Sequence, residues 1–146
     1  GTQQTQIFKQ LRDNGLTQPL MTYSVGGTPS VASLPEADGL LFTSQVADWD
    51  AADPLTRRFV EGWRAKYKDN PSTYAQNYYN AVLLYAQLIE SLEKAGKPVT
   101  GENLKDAIAS GTFDLVGGTA RFSPNGTINM PTQLNRVENG KFEKAS

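Results

Sequence analysis

The sequence predicts an α/β fold, with helices on a parallel sheet and β hairpins closing the chain. Three observations carry that expectation. Helix and strand signals alternate from Thr2 to Val46, a long amphipathic helical stretch follows, and two Asn-Gly turns lie close together near the end.

Ile7, Phe8 and Leu11 recur at helical spacing and Asn14-Gly15 supplies a stop, so a helix spans Thr2 to Asn14. Pro19-Leu20-Met21-Thr22-Tyr23 reads as a short apolar strand. Gly26-Gly27 breaks the chain, and Thr28-Pro29 opens a short helix with Thr28 at its N-cap. Gly39 to Val46 is a second strand, apolar enough in its first half for burial on both faces. Asp53-Pro54 then starts a helix whose stripe is Leu55, Phe59, Trp63 and Tyr67, ended by Asp69-Asn70-Pro71. Ser72 or Thr73 caps a longer helix to about Ala95. Its apolar positions are Tyr74, Tyr78, Ala81, Val82, Tyr85, Leu88, Ile89 and Leu92, a face wide enough for burial on more than one side. Gly96-Lys97-Pro98 stops it. Thr100 caps a third helix ending at Ser110-Gly111, with Val99 and Leu104 at hydrophobic-staple spacing. Residues 119–122 and 127–128 flank the turn Pro124-Asn125-Gly126, and residues 134–137 and 141–142 flank Glu138-Asn139-Gly140, so the tail forms hairpins.

The 146 residues include 38% apolar and 20% charged side chains, with a formal net charge of −1, a globular composition lacking the basic footprint of a nucleic-acid binder. Cysteine and histidine are both absent, which removes thiolate nucleophiles, the usual general base and Ser/His/Asp or Cys/His sets. The Gly26-Gly27 and Gly117-Gly118 pairs match no phosphate loop. Asp48, Asp50 and Asp53 lack the Gly and terminal Glu of a calcium loop and read as a polar loop ending in an N-cap. No metal or other cofactor and no enzymatic activity is expected.

Two aromatic positions stand out. Tyr23 lies at the carboxyl end of a predicted parallel strand, beside Ser24 and a Gly-Gly loop, where open α/β sheets bind ligands. Tyr74 lies in the first turn of the long helix, where free N–H groups can face an anion. From spacing alone both read more readily as ordinary packing aromatics.

Several segments carry a resemblance in order along nearly the whole chain. They are Gln6 through Leu11 to Asn14-Gly15-Leu16; Ala37-Asp38-Gly39-Leu40-Leu41-Phe42-Thr43; Phe59 to Tyr67 followed by Pro71-Ser72-Thr73-Tyr74-Ala75; and Tyr79-Asn80-Ala81-Val82. The closing part adds Phe113, Gly117-Gly118-Thr119, Phe122, Asn125-Gly126, Pro131, Gln133, Val137 and Gly140-Lys141-Phe142. Together they resemble the type I periplasmic solute-binding proteins of ABC transporters, the branched-chain amino acid-binding family. The resemblance implies a two-lobed fold closing on a small molecule by hinge motion, and delivery to a membrane permease of an importer. It implies a periplasmic or membrane-anchored extracytoplasmic location.

On this resemblance, residues 1–45 are expected in the C-terminal lobe, 46–122 in the N-terminal lobe, and 123–146 in the crossover and closing β segment. The family is more than twice this length. The chain opens without an initiator Met, on a helix that lacks a preceding strand, and its expected parallel sheet has only two strands. The expectation is therefore a C-terminal part of a longer protein, able to self-associate through exposed apolar faces. The family's cleft contacts fall on Tyr23, Ser24 and Tyr74. Amino-acid-binding members place a carboxylate near Ser24, whereas Thr22-Tyr23-Ser24-Val25-Gly26-Gly27 carries no acid. The ligand expected from that departure is an aromatic or hydroxylated carboxylate rather than a simple α-amino acid. A branched-chain amino acid remains an alternative ligand, and a sensor or receptor domain of the same fold an alternative role.

Overall fold

The computed structural model describes residues 2–145. In chain order its elements are α1 (Thr2–Asp13), β1 (Met21–Thr22), α2 (Pro29–Ala32), β2 (Leu41–Gln45), α3 (Pro54–Tyr67), α4 (Thr73–Lys94), α5 (Gly101–Ser110), β3 (Thr112–Leu115), β4 (Gly118–Phe122), β5 (Ile128–Asn129), β6 (Thr132–Glu138) and β7 (Lys141–Lys144). Short 3-10 turns occupy Ser24–Gly27 and Pro35–Ala37. The chain divides into two compact units. One comprises the chain up to Ala47, Ser72–Tyr74 and the segment that starts at Thr132; the other comprises Asp48–Pro71 and Ala75–Pro131.

The first unit is built on a mixed sheet in the order β1-β2-β6-β7. β1 and β2 are parallel, with Met21 opposite Leu41 and Thr22 opposite Phe42. β6 adds antiparallel to β2, Phe42 facing Asn135, and β7 closes the edge as a hairpin. The predicted hairpin turn is present: Asn139 and Gly140 have φ of 52° and 79°, the left-handed pair that a tight two-residue turn demands. One face of the sheet buries Phe42, Leu40 and Val137 against Phe8 of α1 and Val31 and Ala32 of α2. Phe142 meets Phe42 edge-on, with ring centres 5.5 Å apart. The predicted strand at Pro19 to Tyr23 contracts to two paired residues, because only Met21 and Thr22 find partners on β2. Thr28 does begin α2, but its hydroxyl donates to the Val25 carbonyl (2.8 Å) instead of capping the helix.

In the second unit the cap signals are realised directly. Asp53 Oδ1 accepts the Thr56 N–H at 2.9 Å and Pro54 opens α3. Burial is the largest single influence on that carboxyl and pushes its pKa up. The hydrogen bonds from the Thr56 N–H and hydroxyl, the Leu55 N–H and its own backbone N–H together outweigh it and hold the pKa below the usual carboxylate value. Thr100 Oγ1 accepts the Asn103 N–H at 3.3 Å at the start of α5. Val99 stays exposed, so the expected staple with Leu104 does not close; Leu104, Ala107 and Ile108 pack instead against Leu88, Phe113, Leu115 and Ala120. A strand that the sequence pattern does not announce, β3, pairs antiparallel with β4, and Gly117 and Gly118 supply positive φ at their turn. β5 extends this small sheet through the predicted Asn125-Gly126 turn.

The turn at Val116 is clamped by α4. Asn80 Oδ1 accepts the Val116 N–H (2.9 Å), and the Asn80 and Gln76 amides donate to its carbonyl at 2.9 and 2.8 Å. Beside it Phe59 contacts Trp49, Trp63 and Tyr79, and Trp63 stacks on Tyr67. α4 buries Leu88 and Leu92, while Tyr78, Val82 and Tyr85 form a stripe that is 76%, 73% and 51% exposed.

Candidate functional site

The parallel pair ends at Thr22, and the chain turns at once. Tyr23 is the N-cap of the 3-10 turn, with extended backbone (φ −101°, ψ −168°). The Gly26 N–H donates to the Tyr23 carbonyl and the Thr28 N–H to the Val25 carbonyl, each at 3.0 Å. Val25 is buried, Ser24 half-buried, and Tyr23 58% exposed, so the turn sinks its aliphatic residue and offers the phenol. Close approach favours both of its glycines, and Gly26 more strongly. A Cβ on Gly26 would lie 2.7 Å from ring carbons of Phe42, and one on Gly27 3.1 Å from the same ring. The turn therefore lies flat on the aromatic side chain of the neighbouring strand.

A second segment joins it. Thr73, the first residue of α4, is fully buried, and its hydroxyl donates to the Ser24 carbonyl at 3.4 Å. Tyr74 follows it, half-buried. The structure thus places Tyr23 and Ser24 on one turn after the carboxyl end of β1, and Tyr74 one residue beyond the side chain that bonds that turn. Thr73 itself escapes sequence reasoning except as a helix-cap candidate, since its partner lies far away along the chain.

The same sheet hides another polar set. Asn135 is fully buried; its amide donates to Ser44 Oγ (2.9 Å) and the Phe42 carbonyl (3.4 Å), and its own oxygen accepts from Gln133. Ser44 Oγ donates onward to the Gln45 carbonyl at 2.7 Å. Along β6 the polar Asn135 faces inward while Leu134 faces out, the reverse of the usual pattern, so the sequence carries no signal for it.

Other sequence features resolve into structure. Asp48 Oδ1 accepts the Asp50 N–H, Asp50 pairs with Arg64 at 3.2 Å, and Asp53 caps α3. Asn125 Oδ1 accepts the Thr127 N–H within its turn. Among the described residues, no group of three or more Asp, Glu, His or Cys could hold a metal, and no helix is long and apolar enough to cross a membrane.

A profile of the family described as periplasmic binding protein matches residues 1–141. No curated protein sequence matches the chain. Among solved structures, the leucine binding protein LivK of Thermotoga maritima is similar with a TM-score of 0.81 at 23% identity, covering 97% of this chain and 40% of that one. An ABC transporter substrate-binding protein of Desulfitobacterium hafniense in complex with Leu has a TM-score of 0.70 at 27% identity, covering 97% and 39%. A solute binding protein from R. palustris in complex with benzoate has a TM-score of 0.75 at 22% identity, again covering 97% and 39%. The chain spans about 40% of the length of these three solved structures.

Proposed function

The chain belongs to the periplasmic binding protein family, with the type I fold of that family, and from that premise we propose that it is part of an extracytoplasmic solute-binding protein serving an ABC importer. Binding rather than catalysis is the activity: the whole protein closes its lobes on a small molecule and presents it to the permease. The residues up to Ala47 belong to the C-terminal lobe in this reading, and those from Asp48 to the N-terminal lobe. In the same reading the N-terminal-lobe segment runs on to Pro131 and the chain returns at Thr132, which the pairing of β5 with β4 supports. The exposed stripe of Tyr78, Val82 and Tyr85 on α4 is then covered by the part of the protein that this chain does not contain.

The observation that carries the ligand assignment is the turn after β1. It presents Tyr23 and Ser24 with no acid between Thr22 and Gly27, and it is tied to the residue next to Tyr74. A buried ligand ammonium has no counter-charge in this turn, and leaving one unpaired is costly. Phenol and hydroxyl groups suit a carboxylate with an aromatic or hydroxylated body. Solved relatives of this fold hold leucine in one case and benzoate in another, so the framework accommodates both classes.

Calorimetry on the full-length protein tests the reading. Benzoate or a hydroxylated aromatic carboxylate is expected to bind and leucine to give no heat. Tight leucine binding would overturn the ligand class and retain the solute-binding role. If no member of a panel of small carboxylates and amino acids binds, the binding role itself fails.

A further inference from the structure

We propose that Thr73 is a positioning residue of the ligand site, holding the turn that carries Tyr23 and Ser24 to the helix head that carries Tyr74. The inference rests on the solute-binding reading above and assigns Thr73 a role that acts through the residues it holds.

Thr73 is completely buried although it sits at the first position of a helix, where the side chain more often faces water. Its hydroxyl donates to the Ser24 carbonyl at 3.4 Å, and Oγ1 lies 3.5 Å from the position a Cβ would take on Gly27. The same side chain thus abuts the turn at its first and last residues. A second support is the Phe42 ring, which would lie 2.7 Å from a Cβ on Gly26 and 3.1 Å from one on Gly27. A short 3-10 turn has few bonds of its own, here the Gly26 and Thr28 amides to the Tyr23 and Val25 carbonyls. Its orientation therefore depends on what flanks it.

Ser72–Tyr74 is a three-residue insertion into the first unit from a chain that lies in the second unit on either side. Within it, Thr73 bonds across to Ser24 and places Tyr74 next in line. A ligand gripped by Tyr23, Ser24 and Tyr74 needs both segments in register, and misplacing such groups by a fraction of an ångström weakens binding.

The test uses full-length protein with Thr73→Val, which keeps the shape and removes the donor, and Thr73→Ser, which keeps the donor. Benzoate and leucine serve as calorimetric probes, and deuterium exchange reads the Gly26 and Thr28 amides. Thr73→Val is expected to weaken the binding probe about five- to tenfold, the scale of one lost buried hydrogen bond, and to speed exchange at both amides. Thr73→Ser is expected to stay within about twofold of the parent, because the donor survives. Unchanged affinity in a folded Thr73→Val protein overturns the proposal, as does Thr73→Ser behaving like Thr73→Val. If the parent protein binds neither probe, the ligand assignment is what fails; the exchange data then decide alone, and unchanged exchange in Thr73→Val overturns the proposal.

Discussion

Thr73 and Asn80 lie on one helix, α4, and both use a buried polar side chain to hold a distant turn, yet they hold it very differently. Asn80 grips Val116 on both sides, at 2.9 Å each way, and Gln76 adds a third bond at 2.8 Å. Thr73 holds Ser24 through one bond at 3.4 Å. The Val116 turn connects two strands of a small sheet and is walled by Phe59, Trp63 and Tyr79. The Ser24 turn lies on Phe42 and exposes Tyr23. In the proposed reading the difference separates a turn that is only structural from one that also presents groups to a ligand: the first is held by three bonds, the second by one.

That contrast can be broken at its strong side first. Asn80→Ala leaves the buried Val116 N–H without its acceptor and removes one of two donors from its carbonyl. It is expected to cost about 3 kcal/mol, the upper range for an orphaned buried group, measured by urea denaturation of the full-length protein. Ligand affinity of the surviving folded fraction should change little. Gly26→Ala attacks the other turn. Its Cβ would sit 2.7 Å from the Phe42 ring, so the turn or the ring must shift. A cost of about 2 kcal/mol is expected from overpacking, and calorimetry should show a larger loss of binding than Asn80→Ala produces. If the two variants lose stability and affinity in the same proportion, the distinction between the turns is lost.

The smallest expected effect lies at Asp53, a purely local device. Asp53→Ala should cost about 1 kcal/mol by removing the cap. The folded pKa of this carboxyl is depressed, so its contribution is present above the unfolded value near 4 and lost as pH falls through the folded value. Asp53→Asn keeps a capping oxygen and should flatten that part of the acid limb while leaving neutral-pH stability close to the parent. Denaturation curves from pH 6 down to pH 3 would show it, and an unchanged acid limb in Asp53→Asn would assign the pH dependence elsewhere.

Much of the frame is legible in the chain. Asp53-Pro54, Thr100 and Asn139-Gly140 each act through partners within a few residues, so α3, α5 and the last hairpin begin and turn where their sequence signals stand. The strand β3 is not legible, because four residues with an unremarkable pattern become a strand only by pairing with β4. Nor is the inward Asn135, whose place follows from the Ser44 and Gln133 side chains that receive and supply its bonds.

For the candidate site the division is sharper. The sequence by itself determined that Tyr23 and Ser24 follow a strand end at a Gly-Gly break, that Tyr74 opens a long helix, and that no acid lies between Thr22 and Gly27. Only the tertiary structure decided that a side chain on Gly26 would collide with Phe42 of the neighbouring strand and one on Gly27 would crowd it, and that Thr73 reaches Ser24. The physical reason is range. Caps, turn dihedrals and charge are written within one turn of chain, whereas close packing and a buried hydrogen bond depend on which distant segment arrives alongside.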